Sequence, residues 1–289
     1  MNLYTHADLD TLVFPEGITT VGVELEGYWK TATPLGITSD PEDCDMCYWD
    51  EEYGEWVRCE DCADDVDGYT IRRARRELGL KADGSVHVPR HLTLSHVAGE
   101  AASDILRTWP AVVDFVMSHY PDAVDHKCGM HVHLGCTRDQ WAFAFDPIYW
   151  MHLQSTLAQT GTGCSPQTQA WLNRRLKDGR STAEADVYCA PNRQGEHYGR
   201  YWAVNYNAFD AHGTLEVRVN PMAEGMAKGT YNPATQALNL IYTTLASTST
   251  FWTTPSMWRQ ESQRATAAED IRLESTIETA PDEHIRVTL

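Results

Sequence analysis

Three segments far apart in the chain alternate apolar and polar residues with the two-residue period of a strand that buries one face. In "VGVELEG", Val21, Val23 and Leu25 fall on one side and Glu24 and Glu26 on the other. "CGMHVHLG" sets Met130, Val132 and Leu134 against His131 and His133. "GTLEVRVN" sets Leu215, Val217 and Val219 against Thr214, Glu216 and Arg218. Between these segments the period lengthens to that of helices. "YTIRRARREL" reads as a helix with a solvated arginine face, and residues 103–120 space Ile105, Leu106, Val112, Val113 and Val116 helically, with Pro110 restarting the helix. Asp146-Pro147 reads as an N-cap and first-turn proline opening a second helix. Residues 160–200 read as loop, "RYWAVNYNAF" as a strand joined to "GTLEVRVN" by the turn "DAHG", and 233–247 as a further helix. Such a mixture predicts an α+β domain rather than an alternating parallel barrel.

At 289 residues, 42% of them hydrophobic, the chain is long enough to bury a sizeable core. No apolar run reaches the roughly 18 residues a membrane span needs. The opening "MNLYTHADLDTLVF" lacks the basic start and apolar middle of a signal peptide, so the cytoplasm is the expected compartment.

Charge narrows the partners. The formal net charge is −18, and the thirteen Asp and Glu between Asp40 and Asp67 stand against Arg58 alone. That surface repels a polyanion, so direct nucleic-acid binding is not expected, whereas a cationic or amine-bearing partner is attracted. The same segment holds "CDMC" and "CEDC", placing Cys44, Cys47, Cys59 and Cys62 as two C-x2-C knuckles separated by "YWDEEYGEWVR". Four thiolates so spaced can converge on a structural Zn²⁺ around a hairpin. Residues 40–67 are accordingly read as an acidic zinc-ribbon insertion. The remaining cysteines, 128, 136, 164 and 189, show no ligand spacing and read as small buried apolar residues.

If the three alternating strands share one sheet, its polar face collects three carboxylates, two imidazoles and a guanidinium. Alternate residues of one strand lie about 6.6–7 Å apart, so Glu24 and Glu26 can each serve one of two neighbouring divalent ions. Oxygen-rich ligands with an added imidazole suit Mg²⁺ or Mn²⁺, and an arginine beside such ions suits a phosphate group. Any one of the strands alone also fits an ordinary half-solvated sheet.

"GVELEG", "CGMHVHLG" and "RYWAVNYNAFDAHGTLEVRV", in that order, resemble the amidoligase family of phages and bacteria, which belongs with glutamine synthetase and glutamate–cysteine ligase among the carboxylate–amine ligases. The likeness spans most of residues 18–245. It implies a glutamine-synthetase-like catalytic domain over residues 1–250, with a mainly antiparallel curved sheet flanked by helices, interrupted by the 40–67 insertion and followed by a polar helix or tail at 251–289. It implies ATP and Mg²⁺ or Mn²⁺ as cofactors beside the structural Zn²⁺, and amide formation through an acyl phosphate. Carried over by position, Glu24, Glu26, His131 and Glu216 would ligate the metal ions, with Glu100 of "HVAGEAASD" joining them although the family's proline is missing there. His133 would lie near the nucleotide phosphates and Arg218 on the phosphoryl group, while Arg200 and Asn205 would contact nucleotide or substrate. Glu24, Glu26 and Arg218 would thus be catalytic. "ADGSV" fits a family block, but its order differs from that of glutamine synthetase, and no role passes to Asp83. Substrates would be a small-molecule, peptide or protein carboxylate and an amine, with no membrane partner; the oligomeric state stays open. Two other classes compete: a metal-dependent hydrolase built on the His-x-His pair, and a non-catalytic zinc-ribbon binding module on a ligase scaffold.

Overall fold

The computed structural model describes residues 4–9, 11–32, 48–50, 55–57, 68–83, 86–89, 92, 95–143, 146–178, 203–205, 208–224 and 231–254. In chain order these form α1 (His6–Leu9), β1 (Val21–Lys30), β2 (Tyr48–Asp50), β3 (Glu55–Val57), α2 (Gly68–Glu77), β4 (His96–Ala102), α3 (Trp109–His119) and β5 (Gly129–Gly135). They continue with α4 (Arg138–Phe143), α5 (Pro147–Gly161), α6 (Pro166–Asp178), β6 (Val204–Asn205), α7 (Ala208–His212), β7 (Thr214–Pro221) and α8 (Pro233–Thr253).

The fold is α+β. Its main sheet has five strands in the order β4-β1-β5-β7-β6, each neighbouring pair antiparallel. Two-residue alternation therefore has the consequence expected of it. Val21, Val23, Leu25, Met130, Val132, Leu134, Leu215, Val217 and Val219 are all at most 1% exposed and belong to one core with Leu153, Leu157, Leu238, Ile241 and Leu245 of α5 and α8. α3 contacts β1, and α8 contacts β5 and β7. Among the described residues no helix is long and apolar enough to cross a membrane.

Helix starts follow local chemistry. Asp146 accepts from the Ile148 N–H at the head of α5, Asn232 from Thr235 at the head of α8, and Thr108 from Ala111 at the head of α3. That last cap corrects the expected helix over 103–120. Residues 103–106 instead run beside β1, where Leu106 bridges Val21, and Ile105 stands 68% exposed. Two further expectations differ. The strand read from "RYWAVNYNAF" extends only over Val204–Asn205 among the described residues, and the expected turn is the short helix α7, closed by Gly213 at φ 66. The region read as loop contains α6, whose Trp171, Leu172 and Leu176 bury one side of a helix despite a polar average.

Tyr48 pairs with Val57 and Trp49 with Trp56 in a separate two-stranded sheet, the hairpin expected between the cysteine knuckles. Cys44, Cys47, Cys59 and Cys62 themselves lie outside the described residues, as do Cys189, Arg200 and residues 255–289. Cys128 and Cys164 are buried as expected, and Cys136 is half-buried.

Candidate metal and anion site

The register of the main sheet brings the polar positions together. Glu24 faces His131 across β1 and β5, Glu26 faces Glu100 across β1 and β4, His133 faces Glu216 across β5 and β7, and Asn205 faces Glu216 across β6 and β7. Six of these side chains, all but Asn205, and Arg218 therefore stand on one side of the four adjoining strands β4, β1, β5 and β7.

 The set is Glu24, Glu26, Glu100, His131, His133 and Glu216, with Asn205 and Arg218 beside Glu216. A register shift between Met130 and Val132 leaves Arg218 and Val219 together opposite His131, a bulge in β7 at the centre of the cluster.

The face is not the half-solvated surface that one strand alone would allow. Glu26, His131 and Glu216 are 1%, 2% and 4% exposed. His131 Nδ1 lies 2.9 Å from Glu24 Oε2 and 3.6 Å from Glu216 Oε1, and its Nε2 lies 3.4 Å from Glu26 Oε1. His133 Nε2 is 3.3 Å from Glu24 Oε1. Glu26 Oε2 accepts the Gly129 N–H at 2.5 Å. Glu216 accepts from Arg218 Nη1 on Oε1 and from Asn205 Nδ2 on Oε2, both at 2.5 Å.

Three groups of potential ligand atoms result, each with all its atoms within 4.8 Å of one another: Glu24–His133–Glu216, Glu24–Glu100–His131 and Glu26–Asp83–Glu100. Glu24 and Glu100 each belong to two groups, so the cluster is continuous. Asp83 arrives because Lys81 pairs with Glu100 through both backbone bonds, at 2.8 and 3.0 Å, extending the sheet past β4.

The electrostatics follow from crowding. Burial pushes the Glu24 carboxyl up, but the hydrogen bonds and positive charge of His131 and His133 outweigh it and hold the group well below the usual carboxylate range. Burial also opposes protonation of His131, yet Glu26, the Glu24 hydrogen bond and Glu216 overcome both burial and Arg218 and raise it. Burial, then the charges of Glu24 and Asp83, push Glu100 up to about 7 against the pull of His131 and Lys81. Several carboxylates and imidazoles thus share too little positive charge. Oxygen donors, with one imidazole in two of the three groups and none in Glu26–Asp83–Glu100, fit a hard or borderline divalent cation. The buried His131 Nε2, which makes no hydrogen bond among the described residues, is a donor atom such an ion would use.

A cavity of about 350 Å³ opens beside Glu24 and His133, between the ends of β1, β5 and β7. Lys81, Ser103, Asp104 and His212 also line it. Its size lies at the lower end for small-molecule sites.

Of the residues expected at the site, Glu24, Glu26, Glu100, His131, His133, Glu216, Arg218 and Asn205 come together, the last two through Glu216, while Arg200 is outside the described residues. Asp83 and Lys81 join the site without a role expected from the sequence, because Lys81 meets Glu100 through an isolated bridge outside any strand. No family model and no curated protein sequence matches the chain.

Proposed function

We propose that the protein is an ATP-dependent carboxylate–amine ligase with a glutamine-synthetase-like catalytic domain and a zinc-ribbon insertion. The observation that carries this reading is the polar face on which Glu24 faces His131, Glu26 faces Glu100 and Glu216 faces His133 across neighbouring strands, with Arg218 attached to Glu216. Phosphorylating a carboxylate brings anions together, and a site rich in divalent-metal ligands with a guanidinium beside them is what that step needs.

In this reading Glu24, His131, His133 and Glu216 hold metal near the cavity, and Glu26, Asp83 and Glu100 hold it farther along the sheet. Bound there, the ions supply positive charge to the phosphates and to the acid's carboxylate. Arg218, held by Glu216, would add a fixed positive charge beside them. The 350 Å³ cavity supports a small acid or the phosphate end of a nucleotide as its occupant. An antiparallel sheet counts against the hydrolase alternative, whose His-x-His pair belongs to a parallel barrel. The proposed compartment is the cytoplasm, where reduced thiols stay free to bind zinc.

The test is ADP release by the purified chain given ATP, Mg²⁺ and a panel of acids and amines. ADP that appears only when both an acid and an amine are present is the expected result, abolished by Glu26→Gln with the melting temperature nearly unchanged. No ATP consumption across the panel favours the binding module, and amide hydrolysis without nucleotide favours the hydrolase.

A further inference from the structure

We propose that Arg175 is a positioning residue for the Glu26 arm of the cluster, acting through the turn that enters β5 rather than on a substrate atom. The inference rests on the metal-binding part of the reading above.

Arg175 lies on α6 and is 1% exposed. Its Nη2 donates to the carbonyls of His126, Lys127 and Cys128 at 3.4, 3.3 and 3.1 Å, and its Nη1 to that of Asn220 at 3.2 Å. One guanidinium therefore ties the entry of β5 to the end of β7. The residue after those three carbonyls is Gly129, whose N–H donates to Glu26 Oε2. A Cβ on Gly129 would come within 2.9 Å of Glu26 Oε2 and 3.2 Å of both Arg175 Nη1 and His131 Nε2. The clamp, the glycine, the carboxylate and the imidazole thus meet in one space, where a methyl group would displace the Glu26 carboxylate.

The sign of the charge separates positioning from compensation. A cation beside a metal site weakens metal binding by repulsion. What Arg175 offers the site is geometry: a planar fork that reaches several carbonyls at once, which a lysine cannot reproduce. Arg175→Lys keeps the charge and removes the fork.

The experiment is manganese binding to the full-length, nucleotide-free protein, read from the electron paramagnetic resonance of free Mn²⁺. Glu26→Gln identifies the binding step that depends on Glu26. Arg175→Lys is expected to weaken that step about tenfold or more, the scale of lost outer contacts to a metal ligand, and to leave the other step within about threefold. Equal weakening of both steps, or of neither, overturns the proposal. So does Arg175→Met binding more tightly while Arg175→Lys matches the wild type, because Arg175 is then only a countercharge. If Arg175→Lys does not fold, Gly129→Ala carries the test: selective loss of the Glu26 step is expected, and unchanged binding overturns the proposal. A wild type that binds no Mn²⁺ removes this inference and the metal site together, whereas Mn²⁺ binding without ATP consumption removes only the ligase.

Discussion

Glu24 and His131 are register partners on β1 and β5, and their Oε2 and Nδ1 atoms meet at 2.9 Å. Through this contact the two strands share one ligand set, because Glu24 also reaches His133 and belongs to two of the three ligand groups. Glu24→Ala is expected to remove Mn²⁺ from both groups and to lower any ATP turnover on the order of 100–1000-fold. Titration of Mn²⁺ against the variant checks this; undiminished binding would separate Glu24 from the metal.

The crowded carboxylates predict the pH dependence of the metal-free protein. A carboxyl raised in the fold contributes stability that is complete below its ordinary pKa of 4.5 and lost as pH rises, here toward about 7 for Glu100. His131, raised above 6.5, loses its contribution in the same direction at higher pH. Glu24, held low, loses its contribution only as pH falls below 4.5. With chelator present, the melting temperature should be lower at about pH 8 than at about pH 6, and Glu100→Gln should reduce that difference. A melting temperature that climbs across this interval contradicts the assignment.

Gly27 is a packing requirement rather than a site residue. A Cβ there would lie 2.5 Å from the Pro121 ring and 3.3 Å from the Ala123 carbonyl oxygen. Gly27→Ala is expected to cost about 1–3 kcal/mol, as overpacking does. Urea unfolding measures it, and an unchanged midpoint would mean that the 121–123 segment yields freely.

The cysteine knuckles carry their own prediction. Metal analysis of the reduced protein should find about one zinc per chain, lost when Cys44 and Cys47 are replaced by serine. Zinc-free protein with the β2–β3 hairpin intact would leave the four cysteines without that role.

The faces of β1, β5 and β7 were legible in the sequence because alternation is a local property: Glu24, Glu26, His131, His133, Glu216 and Arg218 occupy the side their apolar neighbours do not. Glu100, with Ala98 and Ala102 on its own side of β4, was expected from the resemblance alone. The caps at Asp146 and the hairpin at 48–57 were local in the same sense. α6 was not, since its polar average hides the few positions that bury it, and with it went Arg175. Asp83 and Lys81 also needed the third dimension, because an edge pairing with Glu100 is a contact between segments. The alternation within each strand thus decided which side chains share a face, while register and burial decided which of them touch. Pairing depends on distant residues, and a two-residue period contains no information about its partner strand.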